Sequence, residues 1–354
     1  MMHKFLGKLY LPIFVITADY QKERVHKMTL IGKPSGMFTQ ALAAHMIANG
    51  IIADNDKIET MPIHIKEFSG KKLWHHIIQV EGKSTRYFLR TIKEKDFSYC
   101  IVNELANLNN SLGYHCFPQA VLPPFEINSQ AYILTTFLEG SDLESLMTYL
   151  TDDDLRVYGI QLSHRLQSLH SVVRSRYSES SKEDHSNFGK VTSEKLIRKL
   201  LGEPLLKWFT SSVSIDRLVS NINVILKRST YSAPALIHLD VKPGNIVIPE
   251  NGTELCLIDF ELARFGDLDY EWTNILVKGL LNYDERFKKY VLGQVINDNF
   301  MSLDEALHIE KYRVYLLYHS INNYIYFASR NALCPMPVVE LIKQLLREIE
   351  CEGD

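Results

Sequence analysis

Ile237-His238-Leu239-Asp240-Val241-Lys242-Pro243-Gly244-Asn245-Ile246-Val247-Ile248, followed by Leu257-Ile258-Asp259-Phe260-Glu261, is the stretch from which the rest of this 354-residue chain can be read. Between its halves lies Asn251-Gly252, a dipeptide that favours a two-residue type I′ turn because both positions tolerate positive φ. Counting outward from that turn, Ile248 faces Leu255, Ile246 faces Leu257 and Asn245 faces Ile258. Asn245 and Asp259 are therefore expected at the open end of one hairpin, and Asp240 sits on the loop that leads into the same end. Two carboxylates and an amide oxygen gathered there suit Mg²⁺, a hard cation that takes oxygen ligands and is usually held by one or two carboxylates plus substrate phosphates.

Upstream of this passage the pattern is strand-rich. Pro62–Phe68, Leu73–Val80 and Thr85–Ile92 are β-prone runs, with Glu81-Gly82-Lys83-Ser84 as a turn between the second and third. A helix is expected over Tyr99–Leu112, where Ile101, Leu105, Leu108 and Leu112 recur at helical spacing beside Glu104, and another strand over Gln130–Thr136. After Gly140 the period becomes helical. Leu155, Tyr158, Leu162, Leu166 and Leu169 line one face behind the acidic start Asp152-Asp153-Asp154, where negative charge favours a helix N-terminus. Nearer the C-terminus, Ser302-Leu303-Asp304-Glu305 reads as a capping box before the run through Tyr312, Tyr315, Leu316 and His319, whose spacing marks it as core. The first 60 residues are the least legible, with a strand expected over Leu9–Thr17 and a helix over Phe38–Asn49 that stops at Gly50.

Several function classes are excluded. A formal charge of -3 with scattered Lys and Arg gives no electrostatic case for nucleic acid. The five cysteines form no CxxC pair, so neither a zinc site nor a disulfide framework is supported, and a reducing, cytoplasmic setting fits. Lys4 and Lys8 before Leu9–Ala18 mimic a signal peptide, but Pro12 interrupts the apolar run. No stretch has the length needed to span a bilayer. Gly32-Lys33-Pro34-Ser35 is not a P-loop, because Lys27 and Pro34 stand where a glycine and a Ser or Thr are required. The Asn-x-Ser/Thr triplets at Asn109 and Asn251 fall in a helix and a turn and are read as structural. His75 and His76 are neighbours on a strand, so they point to opposite faces and cannot share one metal ion.

His238-x-Asp240-x4-Asn245 followed by Asp259-Phe260 resembles the catalytic loop and metal-binding motif of the protein-kinase-like fold. Within that fold, Ile258–Asp267, Thr135-Thr136-Phe137-Leu138-Glu139-Gly140 and Gln161-Leu162-x3-Leu166-x2-Leu169-His170 look like the aminoglycoside phosphotransferase and small-molecule kinase family. Glu261 stands where protein kinases carry Gly, and Asp267 to Trp272 leave little room for an activation segment. The resemblance covers roughly residues 62 to 330 and implies an α+β, two-lobed fold. A small antiparallel β-sheet N-lobe over residues 61–138 would precede a mainly helical C-lobe over 139–354, with residues 1–60 an extension packed on the N-lobe.

The resemblance also implies roles. Asp240 would be the catalytic base, Asn245 and Asp259 would hold Mg²⁺ against the phosphates of ATP or GTP, His238 would brace the loop, and a small molecule would offer the accepting hydroxyl. Thr136, Phe137 and Leu138 would form the hinge against the nucleotide, and Gly70 would be the lone glycine of the first strand turn. The lysine that binds phosphates on the third strand is replaced by Arg90, with Lys93 and Lys95 as alternatives in another register, and Glu104 would pair with that cation. Lys242 resembles the lysine of Ser/Thr protein kinases and would neutralise the transferring phosphoryl group. A protein or lipid kinase and a nucleotide-binding pseudokinase remain as alternatives. A polycationic acceptor would need acidic walls, for which Asp267, Asp269, Glu271, Asp284 and Glu285 are the candidates.

Overall fold

The computed structural model describes residues 36–68, 71–92, 95–113, 115–174, 188–250 and 254–352. The strand expected over Leu9–Thr17, Gly70, Lys93 and the Asn251-Gly252 turn lie outside the described residues. The chain divides into two compact units, one of Met1–Thr91 with Glu126–Tyr132 and the other of Ile92–Phe125 with Ile133–Asp354.

In the first unit, helix α1 (Gly36–Ala48) precedes strands β1 (Ile58–Phe68), β2 (Lys71–Val80) and β3 (Arg86–Thr91). Apolar Leu42 and Met46 of α1 are fully buried, Phe38 packs at a tilt against the rings of His76 and Tyr132, and Thr39 shares a hydroxyl hydrogen bond with Thr60. Gly50 ends the helix in the manner its sequence predicts. With φ at 69°, its N–H donates to Ile47 O and that of Ile51 to Met46 O, the paired bonds of a Schellman motif. Strands β1 and β2 pair antiparallel with a bulge between Ile63 and Lys66, and β2 and β3 pair antiparallel with His75 opposite Arg90. The turn expected at Glu81–Ser84 joins β2 to β3, with Gly82 at φ 71°. Among the described residues the sheet runs β1-β2-β3-β5-β4, where β4 is Phe125–Ile127 and β5, Gln130–Thr136, passes from the first unit into the second.

The second unit is mainly helical. Helix α2 (Lys95–Leu112) buries Ile101, Leu105 and Leu108, and α3 (Asp152–His170) buries Leu155, Leu162, Leu166 and Leu169, all within one apolar cluster. Thr151 and Asp154 close a capping box at the start of α3, so the three acidic residues complement the dipole as their sequence implies. A second cluster is built from α4 (Phe188–Gly202), α5 (Ile215–Arg228), α7 (Glu310–Ala328) and α8 (Met336–Glu350), with α6 (Leu268–Lys278) contributing to both. Tyr315 and Leu316 lie fully buried in it, and His319 is buried with its Nε2 on Tyr270 O at 2.8 Å, so the aromatic run is core. Asn109 is likewise structural: its amide is buried, donating to Phe117 O and accepting from the N–H groups of Cys116 and Phe117.

Short strands carry the decisive passage. Ser141–Asp142 (β6), Ile246–Ile248 (β8) and Cys256–Leu257 (β9) form one small sheet, and Ala235–Ile237 (β7) pairs with Arg264–Gly266 (β10). Ile246 faces Leu257 and Val247 faces Cys256, the register counted from the sequence. Because β7 leads into His238 and β10 follows Glu261, the β7–β10 pairing ties down both flanks of the motif. Gly140, at φ 143°, lies so close to β8 that a Cβ there would run into the Ile248 carbonyl. Among the described residues no helix is long and apolar enough to cross a membrane.

Candidate active site

His238 is fully buried and bridges the two halves of the motif. Its Nδ1 accepts the Asp240 N–H at 3.1 Å, so its Nε2 carries the proton and donates to Ile258 O at 2.9 Å. The ring also packs edge-on against Phe260, with centroids 4.5 Å apart. The loop is thereby fastened to the strand that carries Asp259. From the other side, Asn245 O accepts the Ile258 N–H at 3.0 Å, so Asn245 and the residue before Asp259 are hydrogen-bonded neighbours.

Leu239 and Asp259 both adopt left-handed backbone, at φ 65° and 64°. A side chain larger than glycine's is disfavoured there, and such conformations persist where the surroundings over-determine them. Glu271 supplies that constraint for Leu239. Its side chain is wholly excluded from solvent, Oε1 accepts the N–H groups of His238 and Leu239 at 2.9 and 2.8 Å, and Oε2 meets His170 Nε2 at 2.5 Å. Asn274 completes the clamp by donating to Leu239 O at 2.7 Å. Burial alone would raise the Glu271 carboxyl, but the His170 bond and the loop N–H groups outweigh it and hold it below its ordinary range.

Asp240 is 6% exposed. Its Oδ2 takes Lys242 Nζ at 2.5 Å and Asn245 Nδ2 at 3.0 Å, and its Oδ1 takes Lys278 Nζ at 3.0 Å. Burial pushes the carboxyl up, and the charges of Lys278 and Lys242 more than reverse this, leaving it ionised below the usual carboxylate range. An ionised, nearly buried carboxylate at the end of β7 can orient a hydroxyl and receive its proton.

Asn245 is fixed by donating through Nδ2 to Asp240 O and Oδ2, which turns its amide oxygen toward other partners. With half-buried Asp259 beside it, the site offers two hard oxygen donors. Among the described residues no group of three or more His, Cys, Asp or Glu is gathered as for a metal held by side chains alone. Two protein oxygens complemented by phosphates and water are what Mg²⁺ accepts, so the donor set fits that ion.

The structure thus brings His238, Asp240, Lys242 and Asn245 into direct contact, with Asp259 adjoining. Arg90 stands half-buried on β3 in the first unit, and Thr136, Phe137 and Leu138 follow at the end of β5, where Thr136 is held by two hydrogen bonds with Gln119. Glu104, expected to pair with the cation of the third strand, accepts from Arg174 Nη2 at 2.7 Å. Arg174 is itself set by lying over the Phe265 ring, 4.5 Å from its centroid, which directs its guanidinium to α2.

Of the five expected acidic walls, Asp267, Asp269 and Glu271 need correction, while Asp284 and Glu285 are exposed. Asp267 and Glu271 are fully buried; Asp267 accepts from Ser232, Tyr315 and Lys311, Asp269 pairs with Lys311, and Glu271 lies beneath the loop. Glu285 pairs with Lys288, and Asp284 accepts the Arg286 N–H. Lys278 and Asn274 were not singled out in the sequence. Their signal is the spacing Glu271, Asn274, Lys278, which places three polar side chains on one face of the helix.

Comparison with known proteins adds an independent finding. The family model for the phosphotransferase enzyme family (APH) matches residues 79–295. Among solved structures, a thermostable mutant of aminoglycoside phosphotransferase APH(4)-Ia, in ternary complex with AMP-PNP and hygromycin B, superposes with a TM-score of 0.56 at 13% identity, covering 87% of this chain and 100% of its own. A putative fructosamine-3-kinase from Haemophilus somnus gives 0.52 at 14% identity over 82% of this chain and 92% of its own. An ethanolamine kinase from Plasmodium vivax gives 0.52 at 12% over 95% of each. Likeness at such identities establishes the α+β, protein-kinase-like fold. Among curated proteins, none matches the chain.

Proposed function

This chain belongs to the phosphotransferase enzyme family, and from that premise we propose that it transfers the γ-phosphoryl group of ATP to an alcohol group of a small molecule, with Asp240 as the base. In this reading the acceptor hydroxyl donates its proton to Asp240 while its oxygen forms the bond to the γ-phosphorus and the bond to the β-γ bridging oxygen breaks. Asn245 and Asp259 would hold Mg²⁺, which supplies charge neutralisation at the phosphates when bound. Lys242 would turn from Asp240 to the transferring phosphoryl group, and His238, Glu271 and Asn274 keep the loop in its strained form throughout. GTP satisfies the same phosphate chemistry and is the alternative nucleotide. Cysteine spacing without a disulfide framework supports a cytoplasmic setting.

The single observation that carries this reading is the Asp240 carboxylate itself, buried, held ionised by two lysines and hydrogen-bonded to the Asn245 amide. Nucleotide binding measured by calorimetry with and without Mg²⁺ tests the metal assignment. The wild type is expected to bind ATP more tightly with Mg²⁺, and Asp259→Asn to lose most of that difference. An unaltered Mg²⁺ dependence in Asp259→Asn would remove that residue from the metal site.

A further inference from the structure

The groups around Asp240 bear on what the acceptor is. Oδ2 receives two donors, Lys242 and Asn245, whereas Oδ1 receives Lys278 alone among the described residues. A carboxylate oxygen has two lone pairs, so Oδ1 retains one for an incoming hydroxyl. A hydroxyl donating there is brought beside the Lys278 ammonium, because both groups bond the same oxygen.

Lys278 is not a loose surface lysine. Its side chain is 11% exposed, it occupies the last turn of α6, and that helix is clamped to the loop through Glu271 and Asn274. An ammonium has three donors, and among the described residues Asp240 is the hydrogen-bonded partner of this one. Its ammonium thus stands beside the Asp240 oxygen that the acceptor hydroxyl would approach. Charge points the same way. Asp267, Asp269 and Glu271 are committed to Lys311, Tyr315, Ser232, His170 and the loop backbone, so they offer nothing to a polycation. Glu144 has its Oε2 over Gly244, and the phenol of Tyr283, raised by burial and by the charges of Asp240 and Glu144, stays neutral. The fixed charges bonded directly to Asp240, beside the hydroxyl it would receive, are the ammonium groups of Lys278 and Lys242.

We propose that Lys278 binds the acceptor and that the acceptor is an alcohol bearing a carboxylate or a phosphate, an inference that rests on the reading of Asp240 as the base. A fixed ammonium rewards an anionic group through a charge-assisted hydrogen bond and repels an amine at the same place.

The test is a matched set of alcohols differing in charge: glycerol, glycerate, glycerol phosphate, aminopropanediol and an aminoglycoside, each assayed for ATP-dependent phosphorylation by the full chain with Mg²⁺. The inference expects kcat/KM for glycerate or glycerol phosphate to exceed that for glycerol about tenfold or more, and aminopropanediol to fall below glycerol. The two anionic members separate carboxylate from phosphate recognition. In Lys278→Met the anionic-to-neutral ratio is expected to collapse through KM, and in Lys278→Arg to be largely restored, with thermal melting confirming that both variants fold. A wild type that phosphorylates no anionic member faster than its neutral or cationic counterpart overturns the inference, as does a ratio that survives Lys278→Met. If ATP is also neither bound nor hydrolysed, the nucleotide reading falls with it; if an aminoglycoside is phosphorylated best, only the anionic acceptor falls.

Discussion

Leu239 holds a left-handed backbone at φ 65°, and the whole loop from His238 to Asn245 depends on what keeps it there. Glu271 does most of this, since one buried carboxylate satisfies two loop N–H groups and the ring of His170. Glu271→Ala leaves those donors buried without an acceptor, each costing about 1–3 kcal/mol, so a loss of roughly 3 kcal/mol or more is expected in urea unfolding. Glu271→Gln keeps one acceptor oxygen and should cost distinctly less; equal losses in the two variants would show that loop satisfaction is not the reason. At this scale the sequence was readable where the contacts are local. His238, Asp240 and Asn245 lie within one short motif, and their spacing alone placed them together. The spacing of Glu271, Asn274 and Lys278 marks one helix face, but the meeting of Lys278 with Asp240 depends on how α6 packs under the loop, which that spacing does not disclose. Glu271 reads by its charge as a wall of an acceptor cleft, since nothing in a linear sequence says whether the face that carries it is turned outward or under the loop.

The elements repeat the lesson with different physics. Thr151 with Asp154 and Ser302 with Glu305 form the capping boxes that their sequences announce, and the hairpin register counted from Asn251-Gly252 is the one observed between β8 and β9. These features are set by neighbours a few residues apart. The β7–β10 pairing joins segments nearly thirty residues apart, and the helix after Ser302 ends at Leu307 before α7 begins at Glu310, neither of which the apolar periodicity discloses. Energetically, α3 is held by its buried stripe more than by its cap. Leu162→Ala should cost about 2–5 kcal/mol and Thr151→Ala about 1 kcal/mol, measured by denaturant unfolding. The reverse ranking would mean that α3 is not anchored by its apolar face. Gly140→Ala belongs to the same scale: both its positive φ and the adjoining Ile248 carbonyl oppose a side chain, so this small substitution should lower the melting temperature more than Thr151→Ala does.

Across the whole molecule, each unit carries a buried histidine that acid should expose. Burial holds His76 of the first unit down to about 4 and His319 of the second down to about 3. Both are neutral when folded, while in the unfolded chain they take up protons as pH falls through about 6.5. The unfolded state then binds more protons, so stability drops between pH 7 and pH 5, by about 2 kcal/mol from His319 alone. Melting temperature should fall over that interval, and His319→Asn should flatten the dependence; a wild type equally stable at both values would contradict this account. The change of hydrophobic period after Gly140 marks where strands give way to helices in the sequence, whereas the acceptor's identity is not legible there, because the groups proposed to face it come from a loop and a helix that meet only on folding. The most direct test of the central claim is phosphoryl transfer from ATP to an alcohol acceptor by wild type and Asp240→Asn, with nucleotide affinity measured in parallel. Asp240→Asn is predicted to bind ATP while losing about a hundredfold to ten-thousandfold in kcat; transfer at the wild-type rate in Asp240→Asn would contradict the assignment of Asp240 as the base.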